Sequence, residues 1–248
     1  MEDDNKFSLN NYSKKITKEP PTYSIFLEKR KHSLLNLKDL NDPYLNSHTI
    51  IKESKSTADQ LLNYLVLSGY NLNEIKLFDV GCGLGYITNE FAKKIGFNNV
   101  YCSDPSPSAK EFIKLEFANL NFIYSDIQNI SDQFINFFDI IYLREVYPFT
   151  RTNNIDLHKK LLKKLLNLTK KNGLVVLEQI KGDKNILNNM KKLEYKFKIK
   201  RVIPNRLFKN KLFIYILNLN HTFVHFILYI LYAITRRKVR YYISIKKN

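Results

Sequence analysis

Cysteine is nearly absent from this chain of 248 residues, with Cys82 and Cys102 the only two. Two are too few for a disulfide framework, and their spacing fits no zinc-ligand pattern, which argues against a stapled secreted scaffold and a zinc module. The amino end, Met1-Glu2-Asp3-Asp4-Asn5, is polar and acidic and lacks the apolar h-region of a signal peptide. No stretch of about 34 or 40 residues recurs, which argues against a solenoid. These absences lead us to expect a cytoplasmic, reduced protein. Acidic residues run out towards the carboxyl end. Residues 191–248 hold 15 Lys/Arg against the single acid Glu194, while residues 1–190 hold 25 against 22. Nearly all of the formal +17 therefore lies in the last quarter. A block of this kind suits phosphate-bearing partners or an anionic membrane surface. It also fits a chain rich in Lys, Asn and Ile throughout, which needs no partner at all.

What is present is a chain long enough for one domain with elaborations and a real core. Residues 1–21 are polar and end in Pro20-Pro21, which predicts a flexible arm. Tyr23–Leu40 and Thr49–Leu67 show helical apolar spacing, and residues 22–70 are expected to form a helical cap. The α/β cadence begins at Ile75. Strands are predicted over Ile75–Val80, Val100–Ser103, Leu120–Tyr124, Phe138–Leu143 and Leu174–Leu177. Helices are predicted over Tyr86–Ile95, from Ser106-Pro107 to about Phe117, and over Ile155–Thr169 with a stop at Asn172-Gly173. A further helix is expected over Asp183–Leu193, with strands over Tyr195–Ile203 and Val239–Ile245. The 24 residues Leu212–Thr235 contain no Asp, Glu, Lys or Arg. Asn218, Asn220, His221, Thr222 and His225 would be costly inside a bilayer, so a helical insertion at about 205–235 is expected rather than a span. Residues 71–248 then form the main domain, and that insertion packs on the cap, lids the site or rests on a membrane.

The densest signal is Leu77-Phe78-Asp79-Val80-Gly81-Cys82-Gly83-Leu84-Gly85-Tyr86-Ile87-Thr88, a buried strand turning tightly into a helix. Open α/β sheets bind nucleotide-like ligands at such a crossover. A dinucleotide turn wants its last glycine three positions after the second, but Gly85 follows Gly83 by two and Tyr86 takes that place. Asp104 ends the second strand, 19 residues after Gly85, where a carboxylate can accept from two ribose hydroxyls or simply cap a turn before Pro105. Asp126 and Ile127 follow the third strand, where an isolated Asp is more often a turn residue. Arg144-Glu145-Val146-Tyr147-Pro148-Phe149-Thr150-Arg151 leaves the fourth strand at the functional edge of the sheet.

With acid-x-Gly-x-Gly-x-Gly in place, the chain resembles the class I S-adenosylmethionine-dependent methyltransferases over about Ile75–Glu178. The resemblance implies a Rossmann-like three-layer α/β sandwich: a mostly parallel seven-stranded sheet with helices on both faces, an N-terminal helical cap and a C-terminal helical insertion. It implies S-adenosylmethionine as cofactor, held by Asp79, Gly81, Cys82, Gly83, Gly85, Asp104, Asp126, Ile127 and Leu143. Asp104 would take the ribose and Asp126 the adenine amino group, with Ile127 on the ring. Many small-molecule members read Glu-Val-x-x-His after the fourth strand. Glu145-Val146 matches, but Phe149 replaces the histidine, which removes the usual base and any His-containing metal site. Glu145 and Tyr147 are then the candidate catalytic residues, with His158 a remoter one expected on the surface. Glu145 is equally well read as an ion-pair partner of Arg144 or Arg151. Asn/Asp-Pro-Pro-Tyr and Pro-Cys motifs are missing, against methylation of DNA bases. The expected activity is methyl transfer to O or N of a small molecule, sugar or lipid-linked acceptors suiting the basic, apolar last quarter. The alternatives are an RNA methyltransferase and a non-catalytic cofactor-binding scaffold. Peripheral membrane contact through residues 212–240 is a further expectation, next to Arg236-Arg237-Lys238.

Overall fold

The computed structural model describes residues 47–147, 149–150, 152–180, 195–202 and 240–247, with Ser24, Glu28 and Lys192 besides. Apart from those single positions, the expected arm, the helix over Tyr23–Leu40, the helix over Asp183–Leu193 and the insertion at about 205–235 lie outside the described residues.

Among the described residues the elements run α1 (Ser47–Leu67), β1 (Leu77–Val80), α2 (Tyr86–Ile95), β2 (Val100–Ser103), α3 (Pro107–Glu116), β3 (Asn121–Ile123), β4 (Phe138–Arg144), α4 (Ile155–Leu168), β5 (Thr169–Ile180), β6 (Phe197–Arg201) and β7 (Arg240–Lys246). The strands form one sheet in the order β3-β2-β1-β4-β5-β7-β6. β1 pairs in parallel with β2 and β4, and β7 alone is antiparallel to its neighbours β5 and β6. Winding goes from β1 out to β3 on one side and resumes at β4 on the other. The crevice between β1 and β4 is therefore the topological switch point, where such sheets bind ligands.

Two apolar clusters sandwich the sheet. On one face α4 presents Leu157, Leu161, Leu162, Leu165 and Leu168 to Phe78, Ile141, Leu143, Val175 and Leu177. That helical spacing buries one face of α4, and each fully buried leucine stabilises by about 1.5–3 kcal/mol. On the other face Ala58, Leu61 and Leu65 of α1 and Phe91 and Ile95 of α2 cover Leu77, Cys102, Ile140 and Val176. The second helix expected in the cap thus packs directly on the sheet beside α2. Its Tyr64 hydroxyl donates to Ser244 Oγ on β7 at 3.0 Å, and its ring lies 4.9 Å from that of Tyr242.

Local chemistry sets the element ends. Ser106 Oγ accepts from Ala109 N at 3.0 Å and Pro107 opens α3, a capped start. Asn154 caps α4 by accepting from Leu157 N at 2.9 Å. The predicted stop of α4 at Asn172-Gly173 is corrected: α4 ends at Leu168, and Asn172 lies inside β5 with φ 65°. The extra residues form an irregularity between Phe138 and Ile140 on the neighbouring strand, so β5 starts five residues earlier than Leu174.

Candidate functional site

The glycine turn leaves β1 at the switch point. Gly81, Gly83 and Gly85 all take positive φ, at 73°, 57° and 80°, a region that β-carbon sterics close to most residues. A Cβ on Gly81 would stand 2.7 Å from Val146 Cγ2, and one on Gly85 3.0 Å from Ile113 Cγ1. The first glycine therefore admits the loop after β4, and the third admits α3. The turn is tied to β2, with Gly81 N and Cys82 N donating to Ser103 O at 2.8 and 3.0 Å.

Asp104 is the keystone of this corner. Its Oδ2 accepts from Gly83 N and its Oδ1 from Ser106 N, both at 2.9 Å. Asp79 is 3 % exposed and accepts from Thr88 Oγ1 at 2.6 Å. Burial pushes its carboxyl up to about 7, against the lowering influence of Thr88 and Arg144 and with Asp104 and Glu178 adding to the rise. The Cys82 thiol is also driven up, by burial first and by Cys102 beside it, which makes it a packing group rather than a nucleophile.

Asp126 closes a turn on itself. Its Oδ1 accepts from Gln128 N at 2.8 Å and Asn129 N at 3.1 Å, and its Oδ2 from Asn129 Nδ2 at 2.9 Å. Ile127 is buried in the α4-side cluster together with Leu143, the last apolar residue of β4.

Beyond β4 the chain is pinned to β5, with Glu145 N donating to Glu178 O at 3.1 Å. Glu145 takes φ 53°, a left-handed conformation that costs a glutamate about 1–2 kcal/mol. Its carboxylate pairs with Arg240 at 3.2 Å, a residue of β7. Arg240 also reaches the buried Glu178 at 2.8 Å, and Arg144 Nε approaches the same carboxylate at 3.4 Å. Tyr142 donates its hydroxyl to Glu178 from below. Glu178 thus joins two arginines and a tyrosine under the loop. Tyr147 packs against the α4-side cluster that contains Phe149.

One expectation is corrected. His158 is not on the surface: it is fully buried, 3.3 Å from Thr152 Oγ1 and with its ring 5.4 Å from that of Phe149. The apolar partner at Phe149 and the helical face of Leu157, Leu161 and Leu162 draw it inward. Sequence reasoning also missed Thr88, Glu178, Gln179 and Arg240. Thr88 follows Asp79 by nine positions in the same motif and was legible there. Arg240 lies 62 residues from Glu178, and no local pattern announces that pairing.

The switch-point crevice, the positive-φ glycine turn and the acids ending β1 and β2 define a Rossmann-like site for a nucleoside-bearing ligand. Residues 72–221 match the methyltransferase domain family, and the chain belongs to that family. The class I methyltransferase resemblance, the fold and the enzyme class are thereby borne out, and S-adenosylmethionine is the cofactor that this family's reaction consumes. Among solved structures, the plantazolicin methyltransferase BpumL in complex with SAH is similar at 15 % identity and TM-score 0.51, over 96 % of this chain and 99 % of that one. A Galdieria sulphuraria structure assigned as a sarcosine dimethylglycine methyltransferase gives 14 % identity and TM-score 0.50, over 77 % and 85 %. At such identities the likeness concerns the fold. No curated protein matches the sequence significantly.

Proposed function

We propose that the chain methylates O or N of a small-molecule acceptor, using S-adenosylmethionine held between the glycine turn, Asp104 and Asp126. When bound, that cofactor would supply a methyl group on a sulfonium, which a lone pair of the acceptor would take in line as the thioether S-adenosylhomocysteine leaves. The residues fit it: backbone free of Cβ at Gly81, Gly83 and Gly85, the Asp104 carboxylate beside the turn for ribose hydroxyls, and buried Asp79 for a cationic group. The same reading assigns Cys82 and Leu143 to this corner. Asp126 Oδ2, with one donor in the chain, keeps a lone pair for an adenine amino group, and Ile127 supports the ring. The observation that carries the reading is the glycine turn at the switch point, with positive φ at Gly81, Gly83 and Gly85 and the Asp104 carboxylate held to it through Gly83 N.

The loop over Gly81 receives the acceptor. Glu145 is committed to Arg240, so we assign it the shape of that loop in the first place, with Tyr147 the nearer candidate for contact with the acceptor. Methyl transfer from a sulfonium asks mainly for positioning, and a dedicated base is not required. A sugar or lipid-linked acceptor suits the basic last quarter, which also supports peripheral membrane contact through residues 212–240. RNA as acceptor rests on that charge alone. Among the described residues no helix is long and apolar enough to cross a membrane.

The test is incubation with methyl-labelled S-adenosylmethionine and a deproteinised cell extract. Label is expected in a small organic molecule; label that appears only when RNA is supplied, or never, contradicts the proposal.

A further inference from the structure

Among the described residues, Gln179 has a buried side-chain amide with nothing to bond at either end, where Ser103 and Tyr242 each leave a single hydroxyl so. It is 1 % exposed, and neither its Nε2 nor its Oε1 has a hydrogen-bond partner among the described residues. An amide left so is costly, and buried polar groups are satisfied almost everywhere in native proteins. Such an exception calls for a reason, and its position offers one.

Gln179 is the residue after Glu178 near the carboxyl end of β5, and Glu178 O is the group that pins the loop over the glycine turn. Alternation along the strand puts Gln179 on the face opposite Glu178, the face of Leu177. Its register partner on β7 is Tyr241, which belongs with Leu177 and Phe149 to the α4-side cluster. Glu178, Arg144 and Arg240 engage one another on the other face, so the charged network does not serve this amide. The amide therefore stands on the face of an apolar cluster against which Val146 and Tyr147, of the loop that abuts Gly81, also pack.

We infer that Gln179 is a specificity-determining residue that reads the methyl acceptor, and that the acceptor carries an uncharged group with a hydrogen-bond donor and acceptor side by side, as a carboxamide or a vicinal diol does. This rests on the acceptor site proposed above. Nε2 donates to the acceptor molecule and Oε1 accepts from it, which satisfies the amide only in the complex. An anionic group would bring a second acceptor to Oε1 and an uncompensated charge to an apolar rim.

Gln179→Met and Gln179→Glu, compared with the unaltered chain, test the inference. Removing an unsatisfied amide should raise the melting temperature of Gln179→Met by a few degrees. Its cofactor affinity, by calorimetry, should stay within about twofold. Its rate of label incorporation from the deproteinised extract should fall at least tenfold, chiefly through a higher apparent KM as the extract is diluted, and Gln179→Glu should not rescue it. A lower melting temperature for Gln179→Met would show that the amide has a structural partner and would overturn the inference. So would unchanged label incorporation, or a labelled product whose only polar groups are anionic. If the unaltered chain labels nothing, the proposed function fails, while the melting comparison still decides whether this amide is held in waiting.

Discussion

Asp79 is a carboxyl whose chemistry changes on folding. Its carboxyl sits at about 7 in the folded chain against 3.8 ordinarily, burial being the main cause. A raised acid favours the neutral form, so its stabilising contribution is whole below about pH 4 and is lost as the pH rises through 7. By ~1.4 kcal/mol per pH unit, ionised Asp79 costs the ligand-free fold on the order of 4 kcal/mol at pH 8. Asp79→Asn keeps an oxygen for Thr88 and carries no charge. It should melt higher than the unaltered chain at pH 8 and no higher at pH 4, as differential scanning calorimetry would record. The same residue predicts weaker cofactor binding at pH 6 than at pH 8, by about tenfold, with proton release on binding, because the ionised form suits a cationic ligand. Equal affinities at the two pH values would remove Asp79 from the site. Glu145 makes the opposite kind of prediction. If it shapes the loop through Arg240, Glu145→Gln lowers kcat less than tenfold and Arg240→Met has a similar effect; a loss of about a hundredfold confined to Glu145→Gln would mark a general base.

Elements carry the site because their ends are chemically fixed. Ser106→Ala removes the cap of α3 and should cost about 1 kcal/mol in denaturant unfolding. Leu161→Ala, in the fully buried row of α4, should cost about 2–5 kcal/mol. Either loss leaves the cofactor corner built, so affinity for the ligand should change less than stability. Much of this level was readable beforehand. α2 and β2 fall where apolar periodicity and glycine punctuation put them, and Ser106-Pro107 announced α3. Short-range signals suffice where an element's own side chains decide its limits. The start of β5 was not readable, because Thr169–Lys171 are extended by pairing with β4 rather than by any preference of their own. The pairing of Glu178 with Arg144 and Arg240 was hidden for the same reason. Arg144 meets Glu178 through the register of β4 with β5, and Arg240 meets it through β7 entering the sheet between β5 and β6. His158 was misjudged since a single histidine on an amphipathic helix gives no sign of which face it takes.

At the scale of the molecule, charge and chemistry are separated along the chain. The corner proposed for the cofactor draws on residues 79–127 and Leu143, while residues 191–248 hold 15 of the 40 basic residues and one acid. Neutralising Arg236, Arg237 and Lys238 together should reduce binding to anionic liposomes if that quarter meets a membrane surface, and the binding should weaken as salt rises. Unchanged liposome binding would leave the charge as bulk composition. Asp104 joins the glycine turn to the end of β2 and is the residue proposed to hold the ribose, and on it the cofactor reading stands or falls. Calorimetric titration of the full chain and of Asp104→Ala with S-adenosylmethionine is the direct measurement. The unaltered chain should bind one equivalent, and Asp104→Ala at least a hundredfold more weakly. Equal affinity for the two, with Asp104→Ala still folded, would contradict the site.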